Sequence, residues 1–406
     1  MMYALTPPKQ LQGTINLPTS KSISNRALLL SSLTKNKLPV THIATCDDTR
    51  VMQAALQQSD HYIDIEAAGT AMRFLTAYFA TQEGTWTLTG SERMKHRPIK
   101  LLVEALKPLG ANIRYLGNEG FPPLEITGQS LQGGKLQLRG NVSSQFISAL
   151  LMIAPTMQQG LKLRLEGTVI SRPYIHMTLK MMEAYGVKAE WVDQSIIVKP
   201  QPYCPCAFSV ESDWSAASYW YGMAALMPDS RLLLQGLKQD SLQGDSKCAA
   251  LFASLGIASL FSSEGVTITS TGSTVSFMSY NFIDQPDLAQ TVVVTCCLLG
   301  VSFHFEGLHS LKIKETDRIA ALINELAKIG YVVDNPKEGV LEWNGEHTSS
   351  SPPAIIDTYD DHRMAMAFSI ASLRHTVNIA HPEVVSKSYS TFWDDLKQVG
   401  FTIQNK

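Results

Sequence analysis

Positively charged residues lie where the first turns of a helix are expected in LPTSKSISNRALLL, residues 17–30. Ser20 or Ser22 can cap this helix, and an apolar run continues it. Lys21 and Arg26 then lie near unpaired backbone N–H groups and the positive end of the helix dipole. Cations are unfavourable there unless an anion offsets them. The stretch therefore raises the hypothesis of an anion-binding site.

The same combination recurs at other expected helix beginnings: Arg73 in GTAMR, Arg93 and Arg97 in RMKHRP, Lys314 and Arg318 in KETDR, His362 and Arg363 in DHR, and Lys387 in SKSY. One interpretation is solvated surface charge, partly paired with Glu315, Asp317, Asp360 or Asp361. The other is that helix amino ends and their cations converge on bound anions, where N–H groups, dipole and guanidinium groups act with the same sign. For these cations taken together, the anion-binding interpretation is favoured over solvated surface charge.

Small polar residues also fit an anion site. Ser143, Ser144 and Gln145 in VSSQF can reach phosphate or hydroxyl oxygens, although serine at a helix start is also an ordinary cap. Gly69 in AAGTA allows a backbone to approach a ligand closely, or simply marks a turn. Ser171, before Arg-Pro, is a cap or a ligand contact.

Two acidic residues are candidates for proton transfer. Asp287 in QPDLAQT precedes an apolar run, so its alternative role is an N-cap. Glu315 lies inside the cationic KETDR segment, so its alternative role is a surface salt bridge. Among cations, the pair is suited to general base and general acid chemistry on a multiply charged substrate.

Composition narrows the class of protein. The 406 residues are 45% hydrophobic, with 34 Lys plus Arg against 36 Asp plus Glu, so no charge excess indicates nucleic acid or an anionic membrane as partner. The beginning, MMYALTPPKQLQG, has no features of a signal or transit peptide, and the expectation is a cytoplasmic enzyme. The six cysteines lack metal-ligand spacing, and we expect them to be reduced.

The chain contains repeats. One segment type has a polar start and an apolar helical run, as in AAGTAMRFLTAYFA, and occurs six times. A second type is amphipathic and usually ends at glycine before a strand, as in ETDRIAALINELAKIGYVV. The pattern predicts an α/β fold of six units, divided three and three near residues 199–208. We expect a cleft between two similar halves.

Together the motifs resemble the 5-enolpyruvylshikimate-3-phosphate synthases, a family of enolpyruvyl transferases. The resemblance runs nearly end to end, from LPTSKSISNRALLL through AGTAMR, RMKHRPI, SDWSAASY, QPDLAQT and KIKETDRI to DHRMAMAFSIA. It implies an inside-out α/β barrel of two domains, each of three βαβαββ-type units. The domains would be residues 21–210 and residues 1–20 plus 211–406. A monomer is the family expectation. We also expect domain closure on the ligands, since separate units must bring Arg97 and Arg318 around one ligand.

The reaction implied is transfer of the enolpyruvyl group of phosphoenolpyruvate to the 5-hydroxyl of shikimate 3-phosphate, with release of phosphate, in aromatic amino-acid biosynthesis. Contacts to shikimate 3-phosphate carry over to Lys21, Ser22, Arg26, Ser143, Ser144, Gln145, Ser171, Asp287, Ser310 and Lys314. Contacts to phosphoenolpyruvate carry over to Lys21, Gly69, Arg97, Gln145, Arg318, Arg363 and Lys387. Asp287 would accept the hydroxyl proton, and Glu315, assisted by Lys21, would protonate the methylene carbon. No step needs a metal or a redox cofactor.

The sequence departs from the family pattern at four positions within these motifs. Thr19 replaces a glycine, Ala67 an asparagine, Phe74 a proline and Ser310 an asparagine. The Ser310 change shortens or removes one sugar contact. None of the four changes falls on the proposed acid, base or arginine positions themselves.

Two other functions remain as alternatives. The sister enzymes that act on UDP-N-acetylglucosamine share the fold but typically carry a cysteine before their Arg-Pro, where this chain reads SERMKHRPI. A non-catalytic repeat protein could instead hold a phosphate-bearing ligand with the same cations. Turnover that depends on Asp287 and Glu315 would distinguish an enzyme from such a protein.

Overall fold

The computed structural model describes residues 1–58 and 60–406, which form two compact units. The smaller unit is Ser20–Val210, and the larger unit combines Met1–Thr19 with Glu211–Lys406. The predicted domain boundaries differ from these by one residue, because Ser20 lies with the smaller unit.

Buried apolar helices and amphipathic helices alternate along the chain. In the described residues they are α1 (Lys21–Ser32), α2 (Asp47–Gln57), α3 (Gly69–Phe79), α4 (Lys100–Leu106), α5 (Ser144–Ile153), α6 (Arg172–Ala184), α7 (Trp214–Leu226), α8 (Cys248–Ala253), α9 (Ala289–Leu299), α10 (Arg318–Lys328), α11 (His362–Ser369) and α12 (Phe392–Gln398).

The strands are short and are spread over the whole chain. They are β1 (Met2–Thr6), β2 (Gln12–Ile15), β3 (Val40–Thr41), β4 (Tyr62–Asp64), β5 (Gly84–Thr89), β6 (Asn112–Tyr115), β7 (Leu124–Gly128), β8 (Gly134–Arg139), β9 (Leu161–Glu166), β10 (Ala189–Val192), β11 (Ser195–Val198), β12 (Phe208–Ser209), β13 (Arg231–Gln235), β14 (Ile257–Phe261), β15 (Gly265–Ser270), β16 (Phe277–Asn281), β17 (Ser302–Glu306), β18 (Leu341–Trp343), β19 (Ala354–Ile356), β20 (Val377–Ala380) and β21 (Thr402–Asn405).

The odd-numbered helices form the interior of each unit. Every residue of α3 and of α11 is buried, and α5, α7 and α9 are buried along almost their whole length. A helix that is apolar on all sides must be surrounded by protein, since no face can be left to water. These helices come from the first repeat type, in which polar residues are concentrated at the start.

The even-numbered helices each bury one stripe. In α10 the buried positions include Arg318, Ile319, Leu322 and Leu326, which is the spacing of one helix face. The chain leaves this helix through Gly330, whose φ of 94° suits glycine far better than other residues. The second repeat type therefore has the predicted amphipathic helix and glycine stop.

The smaller unit contains three sheets. Two have four strands, in the orders β4-β5-β7-β6 and β10-β11-β9-β8, and the third is the parallel pair β3 and β12. Alternate residues of β9 are buried, as expected for a sheet with one face on the core.

The larger unit also contains three sheets, in the orders β14-β15-β13-β2, β16-β17-β18 and β19-β20-β1-β21. Strand β1 lies between β20 and β21 and is antiparallel to both, and β2 is parallel to β13. The first nineteen residues are thus part of the unit built mainly from the second half of the chain. Three sheets and three inner helices in each unit match the six predicted repeats.

Candidate active site

Lys21 is the first residue of α1, and its ammonium group forms an ion pair. Its Nζ lies 3.1 Å from Oδ2 of Asp48, and the two side chains are only 16% and 5% exposed. Asp48 belongs to the first turn of α2, where the helix dipole favours a carboxylate. This pair connects the beginnings of two helices and offsets part of the positive charge at the start of α1.

Arg26 lies on α1 and is buried, with 2% of its surface exposed. Its Nε donates to Oγ1 of Thr178 at 2.8 Å, Nη1 to the Ser22 carbonyl at 2.9 Å and Nη2 to Oγ of Ser148 at 3.1 Å. Burial lowers the pKa of Arg26 to about 10. Within residues 1–58 and 60–406 it forms no ion pair with a carboxylate, so its charge is available to a ligand.

Two guanidinium groups lie close to Gly69, the first residue of α3. A methyl group at Gly69 would lie 2.6 Å from Nη1 of Arg97 and 2.8 Å from Nη1 of Arg73. Arg73 donates to the Gly69 carbonyl at 2.8 Å. In the described part of the chain the Arg97 side chain makes neither a hydrogen bond nor an ion pair. The arrangement concentrates positive charge at the amino end of α3, which suits an anion.

The beginnings of α5 and α6 supply hydroxyl and amide groups. Ser143 caps α5, because its Oγ accepts from the Gln145 backbone N–H at 3.3 Å. Nε2 of Gln145 donates to Oγ1 of Thr70 at 3.1 Å, which links the starts of α5 and α3. Ser144 is half-buried as the first residue of α5. Ser171 precedes α6 with a positive φ of 53°, is 7% exposed and makes no capping hydrogen bond.

In the larger unit, Asp287 is surrounded by cations. Its carboxylate lies 3.0 Å from Nη2 of Arg363, 3.3 Å from Nη1 of Arg318 and 3.8 Å from Nζ of Lys314. Burial alone would raise the pKa of Asp287, but the three cations together hold it well below its usual range. Asp287 lies in a short 3₁₀ turn and Leu288 is the N-cap of α9, so the N-cap alternative is wrong.

Arg318 is the first residue of α10, and only 1% of its side chain is exposed. Its Nε and Nη2 bind the two oxygens of Asp361 at 2.7 and 3.2 Å, and Nη2 also lies 2.9 Å from Oε2 of Glu315. Burial acts to lower the pKa of Arg318, but Asp361, Glu315 and Asp287 outweigh it and raise the pKa. This guanidinium therefore stays charged.

Glu315 and Arg363 complete the cluster of the larger unit. Oε1 of Glu315 lies 3.5 Å from Nζ of Lys387, and Nη1 of Arg363 lies 3.4 Å from the Tyr219 hydroxyl. Carboxylates do pair with the helix-start cations here, as the alternative interpretation suggested for Glu315 and Asp361. The pairs are largely buried, however, and do not belong to a solvated surface.

Comparison with known proteins identifies the family. The model of the family described as EPSP synthase (3-phosphoshikimate 1-carboxyvinyltransferase) matches residues 5–59 and 55–396. A 3-phosphoshikimate 1-carboxyvinyltransferase of Bacteroides fragilis is 53% identical, with 100% of this chain and 99% of the relative covered. One of Shewanella pealeana is 36% identical, with 97% and 98% covered.

The chain belongs to the EPSP synthase family.

Solved structures of low identity share the fold. An EPSP synthase from Acinetobacter baumannii, 20% identical, superimposes with a TM-score of 0.80 over 100% of both chains. An enolpyruvyl transferase NikO from Streptomyces tendae, 12% identical, gives a TM-score of 0.76 over 100% of this chain and 98% of its own. The predicted α/β fold class is confirmed.

The EPSP synthase reaction joins phosphoenolpyruvate and shikimate 3-phosphate, and this chain is a transferase of that kind. The two alternatives, an enzyme for a UDP-linked amino sugar and a non-catalytic binder, are not favoured. Among the helices that the structure describes, none has both the length and the hydropathy that a membrane crossing requires.

The predicted site residue Ser310 takes no part in the hydrogen bonds and ion pairs described above. It lies in the 3₁₀ segment His309–Ile313, is half-buried and makes no side-chain hydrogen bond within the described chain. Ser22 contributes its carbonyl oxygen to Arg26, and its hydroxyl makes no hydrogen bond there.

Four residues near the predicted ones were missing from the predicted site. Arg73 belongs to the recurring cationic pattern and could have been included on that signal. Asp361 caps α11, since its Oδ1 accepts from the Arg363 backbone N–H at 2.9 Å, and an Asp before a helix is a recognisable cap. Asp48 and Asp245 carried no sequence signal, because only the tertiary structure brings them to the clusters.

Proposed function

We propose that the enolpyruvyl transfer is carried out by the residues of these two clusters. Asp287 accepts the proton of the 5-hydroxyl, and Glu315, assisted by Lys21, protonates the methylene carbon. The remaining predicted residues hold the substrates. Shikimate 3-phosphate is contacted by Lys21, Ser22, Arg26, Ser143, Ser144, Gln145, Ser171, Asp287, Ser310 and Lys314, and phosphoenolpyruvate by Lys21, Gly69, Arg97, Gln145, Arg318, Arg363 and Lys387.

One observation carries the proposal. The base candidate Asp287 and the acid candidate Glu315 both bind cations that are assigned to phosphoenolpyruvate: Arg318 binds both, Arg363 binds Asp287, and Lys387 binds Glu315. Proton-transfer groups and substrate-binding cations are therefore in direct contact. A purely structural salt-bridge network would not require the acids to share the ligand's own binding groups.

This sharing gives substrate binding a chemical consequence. The phosphate and carboxylate of phosphoenolpyruvate compete with Asp287 and Glu315 for Arg318, Arg363 and Lys387. Each cation drawn toward the substrate interacts less with the carboxylates, and their affinity for a proton rises. Asp287, held as a very weak base without ligand, becomes able to accept the hydroxyl proton once phosphoenolpyruvate is bound.

The step then balances in atoms and protons. The 5-oxygen of shikimate 3-phosphate bonds to the enol carbon, its proton passes to Asp287, and Glu315 delivers a proton to the methylene carbon. The product is a tetrahedral intermediate. Glu315 then takes a proton back from the new methyl group, the C–O bond to phosphate breaks and the double bond is restored, and the proton on Asp287 leaves with the released phosphate. The cations stabilise the charge that both substrates bring.

The experiment is a phosphate-release assay with phosphoenolpyruvate and either shikimate 3-phosphate or UDP-N-acetylglucosamine. We expect release with shikimate 3-phosphate only. Asp287→Asn and Glu315→Gln should bind shikimate 3-phosphate, measured by calorimetry, with Kd within about threefold of the wild type. Their kcat should fall by roughly 10²–10⁴.

Asp317→Asn is the matched control. Asp317 lies in the same KETDR segment and caps α10 through the Ala320 backbone N–H at 3.2 Å, and asparagine caps equally well. Its kcat should stay near the wild-type value. Normal turnover in Asp287→Asn or in Glu315→Gln would show that the substituted residue does not transfer the proton assigned to it.

We further propose a cytoplasmic monomer without a metal or redox cofactor, since the transfer moves only protons and C–O bonds. All six cysteines lie in the described part of the chain and are free thiols. Such thiols fit a reducing compartment. Sedimentation velocity would test the monomer, and a dimer at working concentration would contradict it.

A further inference from the structure

The Arg26 guanidinium lies over the face of an aromatic ring. Its Cζ is 5.2 Å from the ring centroid of Phe74, which lies on α3. Phe74 is 0% exposed and Arg26 is 2% exposed. The contact is therefore a cation–π pair away from water, where such pairs are strongest.

Arg26 needs a stabilising partner. Its three hydrogen bonds go to a carbonyl and two hydroxyl oxygens, all of them neutral. A buried charge without a counter-ion is costly, and the described residues supply no carboxylate to it. The negative face of the Phe74 ring is a further source of electrostatic stabilisation, beside the Coulomb interaction with Tyr174.

A ring stabilises the cation in a way that a carboxylate would not. A carboxylate would occupy N–H donors and would compete with any anionic ligand. The Phe74 ring attracts the guanidinium from 5.2 Å through its negative face, while hydrogen bonds to neutral oxygens use three of the five guanidinium donors. Two donors remain for a bound anion.

We propose that Phe74 is a positioning residue for shikimate 3-phosphate. Its ring holds the buried Arg26 guanidinium in place and charged, with free donors directed to the substrate anion. This inference rests on the proposed contact between Arg26 and shikimate 3-phosphate.

The test replaces Phe74 with leucine and, separately, with phenylalanine analogues carrying one, two or three ring fluorines. Fluorine withdraws the negative charge of the ring face and nearly preserves its shape. We expect Phe74→Leu to raise the Kd and KM for shikimate 3-phosphate roughly tenfold. The KM for phosphoenolpyruvate and kcat should change less than threefold. Kd should rise stepwise with each fluorine.

Phe79→Leu is the matched control. Phe79 lies on the same helix, is 2% exposed and stacks on Trp86 rather than on a cation. This variant should lose thermal stability and keep the wild-type KM for shikimate 3-phosphate. If Phe79→Leu and Phe74→Leu shift that KM equally, or if the fluorinated series leaves Kd unchanged, the inference is wrong.

Arg26→Lys separates this inference from the proposed function. Lysine keeps the charge and loses the guanidinium donors. A wild-type Kd for shikimate 3-phosphate in Arg26→Lys would overturn the assignment of Arg26 itself. A raised Kd in Arg26→Lys with no response in the fluorinated series would overturn only the role of Phe74.

Discussion

Positive charge near helix beginnings is stabilised differently in the two units. In the larger unit, Arg318 and Arg363 bind buried or half-buried carboxylates. In the smaller unit Lys21 binds Asp48, but Arg26 and Arg97 have no carboxylate partner among the described residues. We infer that a ligand is attracted to the smaller unit by uncompensated charge, whereas in the larger unit it must displace carboxylates.

Gly69 leaves the space in which Arg97 lies, which leads to a prediction. In Gly69→Ala the new methyl group would push the guanidinium ends of Arg97 and Arg73 away from the start of α3. The KM for phosphoenolpyruvate should rise about 10- to 100-fold, as for the loss of a charged hydrogen bond. The free energy of unfolding should change by less than about 1 kcal/mol.

The control for this change is Gly117→Ala. There the nearest atom to a new methyl group would be Cδ of Pro123 at 3.6 Å, an ordinary contact. Steady-state kinetics with both variants would check the expectation. An unchanged KM in Gly69→Ala would show that Arg97 does not bind phosphoenolpyruvate.

Asp245 leads to a prediction about pH. Burial, with repulsion from Asp287, raises the pKa of Asp245 to about 7. In the unfolded chain an aspartate loses its proton near pH 4, so the folded state binds the proton more tightly. Stability from this group is therefore present at low pH and is lost as the pH rises from about 4 to about 7.

Asp245→Asn removes that titration. Asparagine is isosteric and can still accept the hydrogen bond that Ser215 donates to Asp245. The variant should unfold at a higher temperature than the wild type at pH 8 and at a similar temperature at pH 4.5. Calorimetry across this range would measure the difference, and a gap that does not widen with pH would contradict it.

Helices α10 and α11 both begin after an aspartate cap, with Arg318 directly after Asp317 and Arg363 two residues after Asp361. Asp317 only caps α10, whereas Asp361 caps α11 and also binds Arg318 through both oxygens. The two caps therefore differ in what their loss should cost.

Asp361→Asn keeps a capping side chain and removes a buried charge partner. We expect it to lower the free energy of unfolding by about 3–5 kcal/mol, since Arg318 stays buried. Asp317→Ala removes a cap alone and should cost about 1 kcal/mol. Urea unfolding would compare them, and equal losses would show that the Asp361–Arg318 pair adds no stability.

At the scale of the whole molecule, the two ends of the chain meet in one sheet. The backbone N–H of Lys406 donates to the Met2 carbonyl at 2.9 Å, and the Met2 N–H donates to the Lys406 carbonyl at 3.3 Å. Leu5, Leu11 and Ile15 are buried in the core of the larger unit. The first nineteen residues are therefore structural parts of that unit.

Fragments can test this dependence. Residues 211–406 alone should show no cooperative thermal unfolding, because the sheet of β20 and β21 lacks its inner strand β1. The same fragment followed by a short flexible linker and residues 1–19 should unfold cooperatively, since the joined ends are adjacent. Cooperative unfolding of 211–406 alone at the same midpoint would contradict the prediction.

Much of this protein could be predicted from sequence, because the signals are local. The alternation of apolar and amphipathic helices, the glycine stop after α10 and the unfavourable charge at Lys21 and Arg26 each follow from a few neighbouring residues. The motifs also predicted the family. The alternative role of Asp287 as an N-cap was wrong. A 3₁₀ turn precedes α9, and any of several residues in such a turn can be the N-cap.

Only the tertiary structure decided which partner neutralises which charge. Asp48 is 27 residues from Lys21, Asp361 is 43 from Arg318, and Thr178 is 152 from Arg26. Coulomb and cation–π interactions depend on distance in space and on burial, which no local pattern of residues encodes. The sequence by itself determined that anions would be bound. The fold determined that Asp287 shares its cations with Glu315 and that Phe74 lies beneath Arg26.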